Sequence, residues 1–336
     1  MKKRRNQIQI KSLYEYIKQI EKNCFPQNTL NNHKVFFRGE ANASWKQEGS
    51  LFRGKFETDT YTKEVNVLQE KALIDAAKTQ CPQAFADCPD AISRMVRMQH
   101  YGLPTRLYDV TANPLVALYF ACNIEPNEDG KVLFTKAPLA SLSVVNTMAL
   151  LAESIESYED LLNINRLFDY WKSNVDIPLD EKNVDKLKKW LYENVTKSFL
   201  FQPIMDNDRI QRQQGAMIFS SLVSVSPFSS KSKYQRLCRI ESYDERMNNI
   251  LFKKDNVELR YMFEKKEFLV KAEDKKQLLQ ELDLFGINEG FVYPEVEHQL
   301  RTIKYQNIPK EDFPFVADAI RVADEIPPVI LEVTTS

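Results

Sequence analysis

Apolar positions recur at helical spacing at Ile10, Leu13, Ile17 and Ile20, which predicts an amphipathic helix over 10–23. Pro26 and the Asn-rich stretch 28–32 end it. Val35-Phe36-Phe37-Arg38 reads as a short buried strand stopped by Gly39. Helical periodicity returns over 61–79 and 90–100, and Tyr101-Gly102-Leu103-Pro104 is turn chemistry. Asn113-Pro114 is a helix start, with Asn as the cap and Pro at the first helical position, where no N–H is needed. The helix it opens, 114–123, is apolar all round and belongs in the core. Gly130 opens a strand over 131–136. Residues 146–200 are rich in helix formers and charge and predict three helices, within a helical insertion spanning about 137–200. Ala216–Val223 is a strand after the Gln213-Gln214-Gly215 turn, and Glu267–Ala272 is another. Asp274 caps a helix ending at Gly286, a C′ glycine, and Pro294 starts one more helix to about 305. The tail after 306 ends in an apolar, strand-like run, Pro328 to Val333. The pattern predicts an α+β fold with a mixed or antiparallel sheet core surrounded by helices. The domain is expected over 1–305, with 306–336 as a C-terminal extension packed on it.

The 336 residues are 43% hydrophobic and 28% charged, as in ordinary globular proteins. Lys plus Arg is 46 against 47 for Asp plus Glu, a net charge of −1. That balance argues against a surface given over wholly to nucleic acid or anionic membrane, and leaves room for a local basic cleft. The longest nearly apolar run, Pro114 to Cys122, is too short to span a bilayer. Behind the basic start Met1-Lys2-Lys3-Arg4-Arg5, polar Asn6-Gln7 and charged Lys11 leave no apolar signal core. The expectation is a cytoplasmic protein with no membrane partner. The glycines stand at 39, 49, 54, 102, 130, 215, 286 and 290, spaced for neither a G-x-G-x-x-G fingerprint nor a Walker loop. Cys24, Cys81, Cys88, Cys122 and Cys238 form no C-x-x-C pair, and His33, His100 and His298 are too scattered for a histidine-rich metal site. No metal is expected.

Several polar clusters could carry chemistry. Arg38 ends an apolar strand in Phe36-Phe37-Arg38-Gly39-Glu40, and an arginine there must find an anionic partner. It reads either as a fork for a phosphate or carboxylate or as half of an internal ion pair. Gly39 lets a ligand or another backbone come close. The run from Gln99 and His100 through Thr105, Arg106 and Asp109 to Thr111 is dense in polar groups yet lies between apolar helices. Asp109 there either serves a ligand or pairs with Arg106 or Arg38, and His100 is either an acid–base group or a satisfied core histidine. Asp208-Arg209-Ile210-Gln211-Arg212-Gln213-Gln214-Gly215 offers amides to a hydroxyl or base edge, or is a plain strand-entry turn. In Tyr293-Pro294-Glu295-Val296-Glu297-His298 the carboxylates read as first-turn helix residues.

Phe36-Phe37-Arg38-Gly39, then Gln99 through Asp109, then Asn113-Pro114-Leu115-Val116-Ala117-Leu118-Tyr119-Phe120-Ala121 resemble the FRG domain family, named after its (Phe/Tyr)-Arg-Gly signature. Arg209-Ile210, Gln213-Gln214-Gly215-Ala216 and Tyr293-Pro294-Glu295 resemble its later motifs, so the resemblance covers about residues 10–305. Glu295 and Glu297 stand where the family pattern has aspartates, and His298 where it has glycine. The family is one of bacterial and phage proteins, and the resemblance implies a role in phage defence. The aromatic-Arg-Gly strand also resembles the first motif of Arg-Ser-Glu type ADP-ribosyltransferases. That second resemblance implies a similar fold and NAD as a substrate, with no permanently bound cofactor. Cleaving the nicotinamide–ribose bond passes through an oxocarbenium-like state that needs phosphate anchoring and a nearby negative or dipolar group. On this scheme Arg38 anchors, Thr105, His100 or Asp109 line the ribose, and Gln213 or Gln214 meets the 2′-hydroxyl. Phe37, Gly39, Gln99, Tyr101, Arg106, Arg209 and Gln214 are the expected binding residues around them. A protein or nucleic acid is the candidate target.

Two other readings compete. One is a non-catalytic module that senses a nucleotide or a phage component through Arg38 and His100. The other is a protein that binds or processes single-stranded nucleic acid, with Arg94, Arg97, Arg106, Arg209 and Arg212 beside Tyr101 and Tyr108.

Overall fold

The computed structural model describes residues 6–25, 34–52, 62–157, 198–204, 208–220 and 259–295. The chain divides into two compact units, Met1–Ile287 and Asn288–Ser336. In the first, seven strands form one sheet: β1 (Asn6–Ile10), β2 (Phe36–Glu40), β3 (Leu107–Thr111), β4 (Gly130–Thr135), β5 (Phe199–Phe201), β6 (Gly215–Phe219) and β7 (Lys266–Val270). Their order is β1-β7-β4-β2-β3-β6-β5; only β1 and β7 run parallel, and every other neighbour is antiparallel. The helices are α1 (Leu13–Cys24), α2 (Thr62–Gln80), α3 (Ala91–His100), α4 (Pro114–Cys122), α5 (Leu142–Ser157), α6 (Asp208–Arg212) and α7 (Lys275–Leu284). The second unit contributes α8 (Glu289–Val292), whose cap Asn288 accepts from the Phe291 N–H at 3.0 Å. The α+β expectation holds, with a mixed sheet. Among the described residues no helix is long and apolar enough to cross a membrane.

Several element boundaries differ from those the pattern predicts. Ile10 closes a strand instead of opening a helix: Gln7, Ile8, Gln9 and Ile10 alternate, and this short ribbon lies beside β7. Helix α1 then begins after Ser12, whose hydroxyl accepts from the Glu15 N–H, and it buries Leu13, Tyr16, Ile20 and Cys24 while Ile17 stays 49% exposed. Strand β2 runs through Gly39 to Glu40, because Gly39 pairs with Val132 of β4. Asp274 stands at the start of α7, but its side chain makes no capping bond. The described helix near Pro294 precedes it, at 289–292. Strand β6 begins at Gly215 and ends at Phe219. Within the expected 137–200 insertion, α5 is described; 158–197 lies outside the described residues. So do 221–223, Cys238, His298, the helix expected to about 305, and the 306–336 extension with Pro328–Val333.

The alternation of β3 and β6 sorts the core onto two faces. Leu107, Met217, Phe219 and Phe201 pack with α2, α3 and α5, through residues such as Ile74, Met95 and Met148. Phe36, Tyr108, Val110, Leu133 and Ile218 form the other layer, closed by Leu259 and Phe263. Helix α4 lies backbone-to-backbone on the sheet. A Cβ on Gly39 would come 1.8 Å from the Ala117 carbonyl, and one on Gly130 2.1 Å from that of Ala121. Strands β2 and β4 pair over five positions, as do β3 and β6, yet β2 and β3 share only Phe37↔Thr111. The sheet therefore parts between Arg38–Glu40 and Tyr108–Val110.

Gly39→Ala should destabilise the fold by about 3 kcal/mol or more, read as a drop in the urea midpoint, because neither strand nor helix backbone can give way. Cys24 and Cys122 are buried, and burial pushes both thiols up from 9.0 to about 12. The fold favours the neutral thiol, so this stability is whole below about pH 9 and declines from there towards pH 12. Iodoacetamide at pH 8 should alkylate exposed Cys81 in the folded protein and spare Cys24 and Cys122 until denaturant is added.

Candidate functional site

Arg38 occupies the parting of the sheet. Its Nη1 donates to the Asp109 carbonyl at 3.1 Å and stands 3.7 Å from Asp109 Oδ2. Its Cζ lies 4.6 Å from the centre of the Tyr108 ring, in cation–π range. The Nε–H is buried and finds no acceptor among the described residues. Burial acts to lower the guanidinium pKa, but Tyr108, Asp109 and Glu40 together outweigh it and raise it above its ordinary value. The side chain is 19% exposed, so one flank of a permanently charged fork reaches solvent.

Beneath it lies a fully buried polar layer. The Tyr108 hydroxyl donates to Glu40 Oε1, and Glu40 Oε2 stands 3.0 Å from Lys131 Nζ. Lys131 also donates to the carbonyls of Ala43 at 2.7 Å and Trp45 at 2.6 Å. The β2–β4 register explains the pairing, since Glu40 faces Lys131 directly.

Asp109 is held from its other side. Its side chain is 49% exposed, and Oδ1 accepts from Gln99 Nε2. Gln99 Oε1 in turn accepts from the Thr105 hydroxyl, whose oxygen accepts from the Leu107 N–H at 3.1 Å. A carboxylate only accepts, so the Gln99 amide nitrogen must face Asp109, and the orientation of every group in the chain follows. Thr105 is fixed further through its main chain: its N–H donates to Ser50 Oγ at 3.0 Å, and its carbonyl accepts from the Leu51 N–H at 2.9 Å.

The structure thus joins Arg38, Asp109, Gln99 and Thr105 in one contact chain. The Gln213-Gln214 turn meets the far end of β3 through main-chain carbonyls. Gln213 O accepts from the Thr111 hydroxyl and Gln214 O from the Ala112 N–H at 3.0 Å, with Gln214 at φ 47°. Arg209 lies on α6 just before that turn, half-buried. His100 is the last residue of α3, half-buried, and Tyr101 beyond it is 67% exposed with its ring edge-on to Phe85. Three expected binding residues are engaged in packing or in an internal ion pair. Phe37 is buried against Phe134, and Gly39 has its open side filled by α4. Arg106 is 1% exposed and forks onto Glu70 of α2, with Nε–Oε1 at 2.8 Å, its guanidinium 5.7 Å from the centre of the Phe219 ring.

Glu40 and Lys131 lie beneath the Arg38 guanidinium and are not singled out by sequence reasoning as functional, while Tyr108 enters that reasoning only as an aromatic beside basic residues in the nucleic-acid reading. Glu40 carried a signal, a carboxylate two residues beyond Arg38 and on the same side of a strand. Lys131 carried none, because only the register of β4 brings it there. Glu70→Gln should leave the Arg106 charge uncompensated in the interior and destabilise the fold by about 3–5 kcal/mol in urea denaturation. The surface pair Arg97–Asp87, with Asp87 74% exposed, is the contrast: Asp87→Ala should leave the midpoint nearly unchanged.

No curated protein and no solved structure matches the chain. A family comparison does: residues 33–130 match the FRG domain. That stretch contains Arg38, Gln99, Thr105 and Asp109, and over it the chain is similar to the FRG domain family.

Proposed function

We propose that the Arg38–Asp109 site binds a nucleotide-like ligand and that NAD is the ligand it cleaves. The observation that carries this reading is the open arrangement of the two charges. The guanidinium is committed to one main-chain carbonyl and the face of Tyr108, while a half-exposed carboxylate stands 3.7 Å away without closing on it. Such a pair suits a molecule that carries both signs of hydrogen-bonding need. The fork takes a phosphate, and the carboxylate accepts from ribose hydroxyls. In the cleavage step the nicotinamide–ribose bond breaks, its electron pair leaves with neutral nicotinamide, and positive charge develops on the ribose ring. The Asp109 carboxylate stabilises that charge while Arg38 anchors the diphosphate; water or a target side chain then forms the new bond to the ribose carbon and releases a proton. The likeness of the aromatic-Arg-Gly strand to the first motif of ADP-ribosyltransferases supports the choice of NAD.

The test is nicotinamide release from NAD, alongside the melting temperature in ADP-ribose. Wild type should release nicotinamide and be stabilised by ADP-ribose, and Arg38→Ala should lose the stabilisation and about 100-fold of the rate. Stabilisation without turnover would leave a nucleotide-sensing module. If neither NAD nor ADP-ribose raises the wild-type melting temperature, the reading falls.

A further inference from the structure

We infer that Gln99 is a positioning residue that holds Asp109 short of a closed ion pair with Arg38. The inference rests on the reading of this pair as the ligand site. It adds the device that keeps the pair available.

A guanidinium and a carboxylate this close ordinarily collapse into a two-pronged contact, with N–O separations near 2.7–2.9 Å. Here the nearest approach is 3.7 Å. Two restraints account for it. Arg38 Nη1 is engaged by the Asp109 main-chain carbonyl at 3.1 Å, which fixes the guanidinium against the strand. The Asp109 carboxylate is drawn the other way, its Oδ1 taking the Gln99 amide N–H. Gln99 keeps this face of its amide towards Asp109, because the carboxylate can only accept, and Oε1 on the other side takes the Thr105 hydroxyl, itself fixed by the Leu107 N–H at 3.1 Å. Side chains from α3, the turn before β3, and β3 itself therefore share one fixed polarity. Arg38 Nε–H is buried and unmatched among the described residues, so none of their acceptors satisfies the guanidinium fully. Without Gln99, the carboxylate is free to swing onto the guanidinium. The site then neutralises itself and competes with phosphate and ribose for the same groups. Gln99 touches Asp109 and Thr105 here, so its effect on a ligand passes through Asp109.

Gln99→Met keeps the length and volume of the side chain and removes the amide; Thr105→Val removes the hydroxyl that orients it, and Thr105→Ser restores that hydroxyl. The readout in ligand-free protein is the NMR signal of the Arg38 guanidinium, which reports closure of the ion pair whether or not any nucleotide binds. Gln99→Met and Thr105→Val should shift the Arg38 Nη signals and slow rotation about the Cζ–Nε bond, while Thr105→Ser should match wild type. A second measurement compares ADP-ribose with pyrophosphate by calorimetry. Gln99→Met should weaken ADP-ribose about 10-fold. Arg38 signals unchanged in a folded Gln99→Met protein would overturn the inference, and so would unchanged signals in Thr105→Val should Gln99→Met fail to fold. Shifted signals with no ADP-ribose binding to wild type would uphold the positioning role and remove the nucleotide reading, so the two failures are told apart.

Discussion

A guanidinium buried between two strands is the constraint on which the site depends. Stripping water from a charge is expensive in a low-dielectric interior, and a single partner rarely offsets it. Here the compensation is spread. A main-chain carbonyl, an aromatic face and a half-exposed carboxylate act directly on Arg38. Glu40, reached through the Tyr108 hydroxyl, acts from below, with its own charge matched by Lys131. Two cations and two anions make a neutral layer. The single ladder pair between β2 and β3 is part of the same solution, since a fully zipped pair would leave no room for the fork beside the Asp109 carbonyl.

The aromatic-Arg-Gly triplet is then three separate requirements at the alternation of one strand. Phe37 and Gly39 point to the face covered by α4, one filling the core and the other leaving it open for the helix backbone. Arg38 points the opposite way, over Tyr108. Helix α4 starts where it does because Asn113 accepts from the N–H groups of Leu115 and Val116, and Thr111, the residue paired with Phe37, accepts from the Asn113 N–H at 2.9 Å. The cap of the helix and the one pair that ties β2 to β3 thus share a residue. Helix position, strand separation and the placement of the charge are set together.

Much of this was legible in the chain, for identifiable reasons. The Asn113-Pro114 start, the apolar helix after it and the Gly102 turn are local signals and stand as read. The pairing of Arg38 with Asp109 was one of the open alternatives, and the structure brings the two together without closing them. The partner of Arg106 is not legible in the chain, because only the packing of α2 on the strand brings Glu70 to it. The Glu40–Lys131 layer is a product of register, which composition does not encode. Strand β1 was lost because Ile10 fits a helical period as well as an alternating one.

The sheet order has a consequence for how the molecule comes together. Strand β7 sits between β1 and β4, so among the described strands the first in sequence is joined to the rest of the sheet through the last. During synthesis β1 has no edge to join until β7, at residues 266–270, has been made, and β4 waits for the same strand with one side open. A chain cut short before β7 would carry an unpaired central edge and an orphan ribbon at its start, both templates for association with other chains. Closure of such distant ends is also slow. Completion of the sheet is therefore a late event, and it acts as a check that synthesis has passed residue 270.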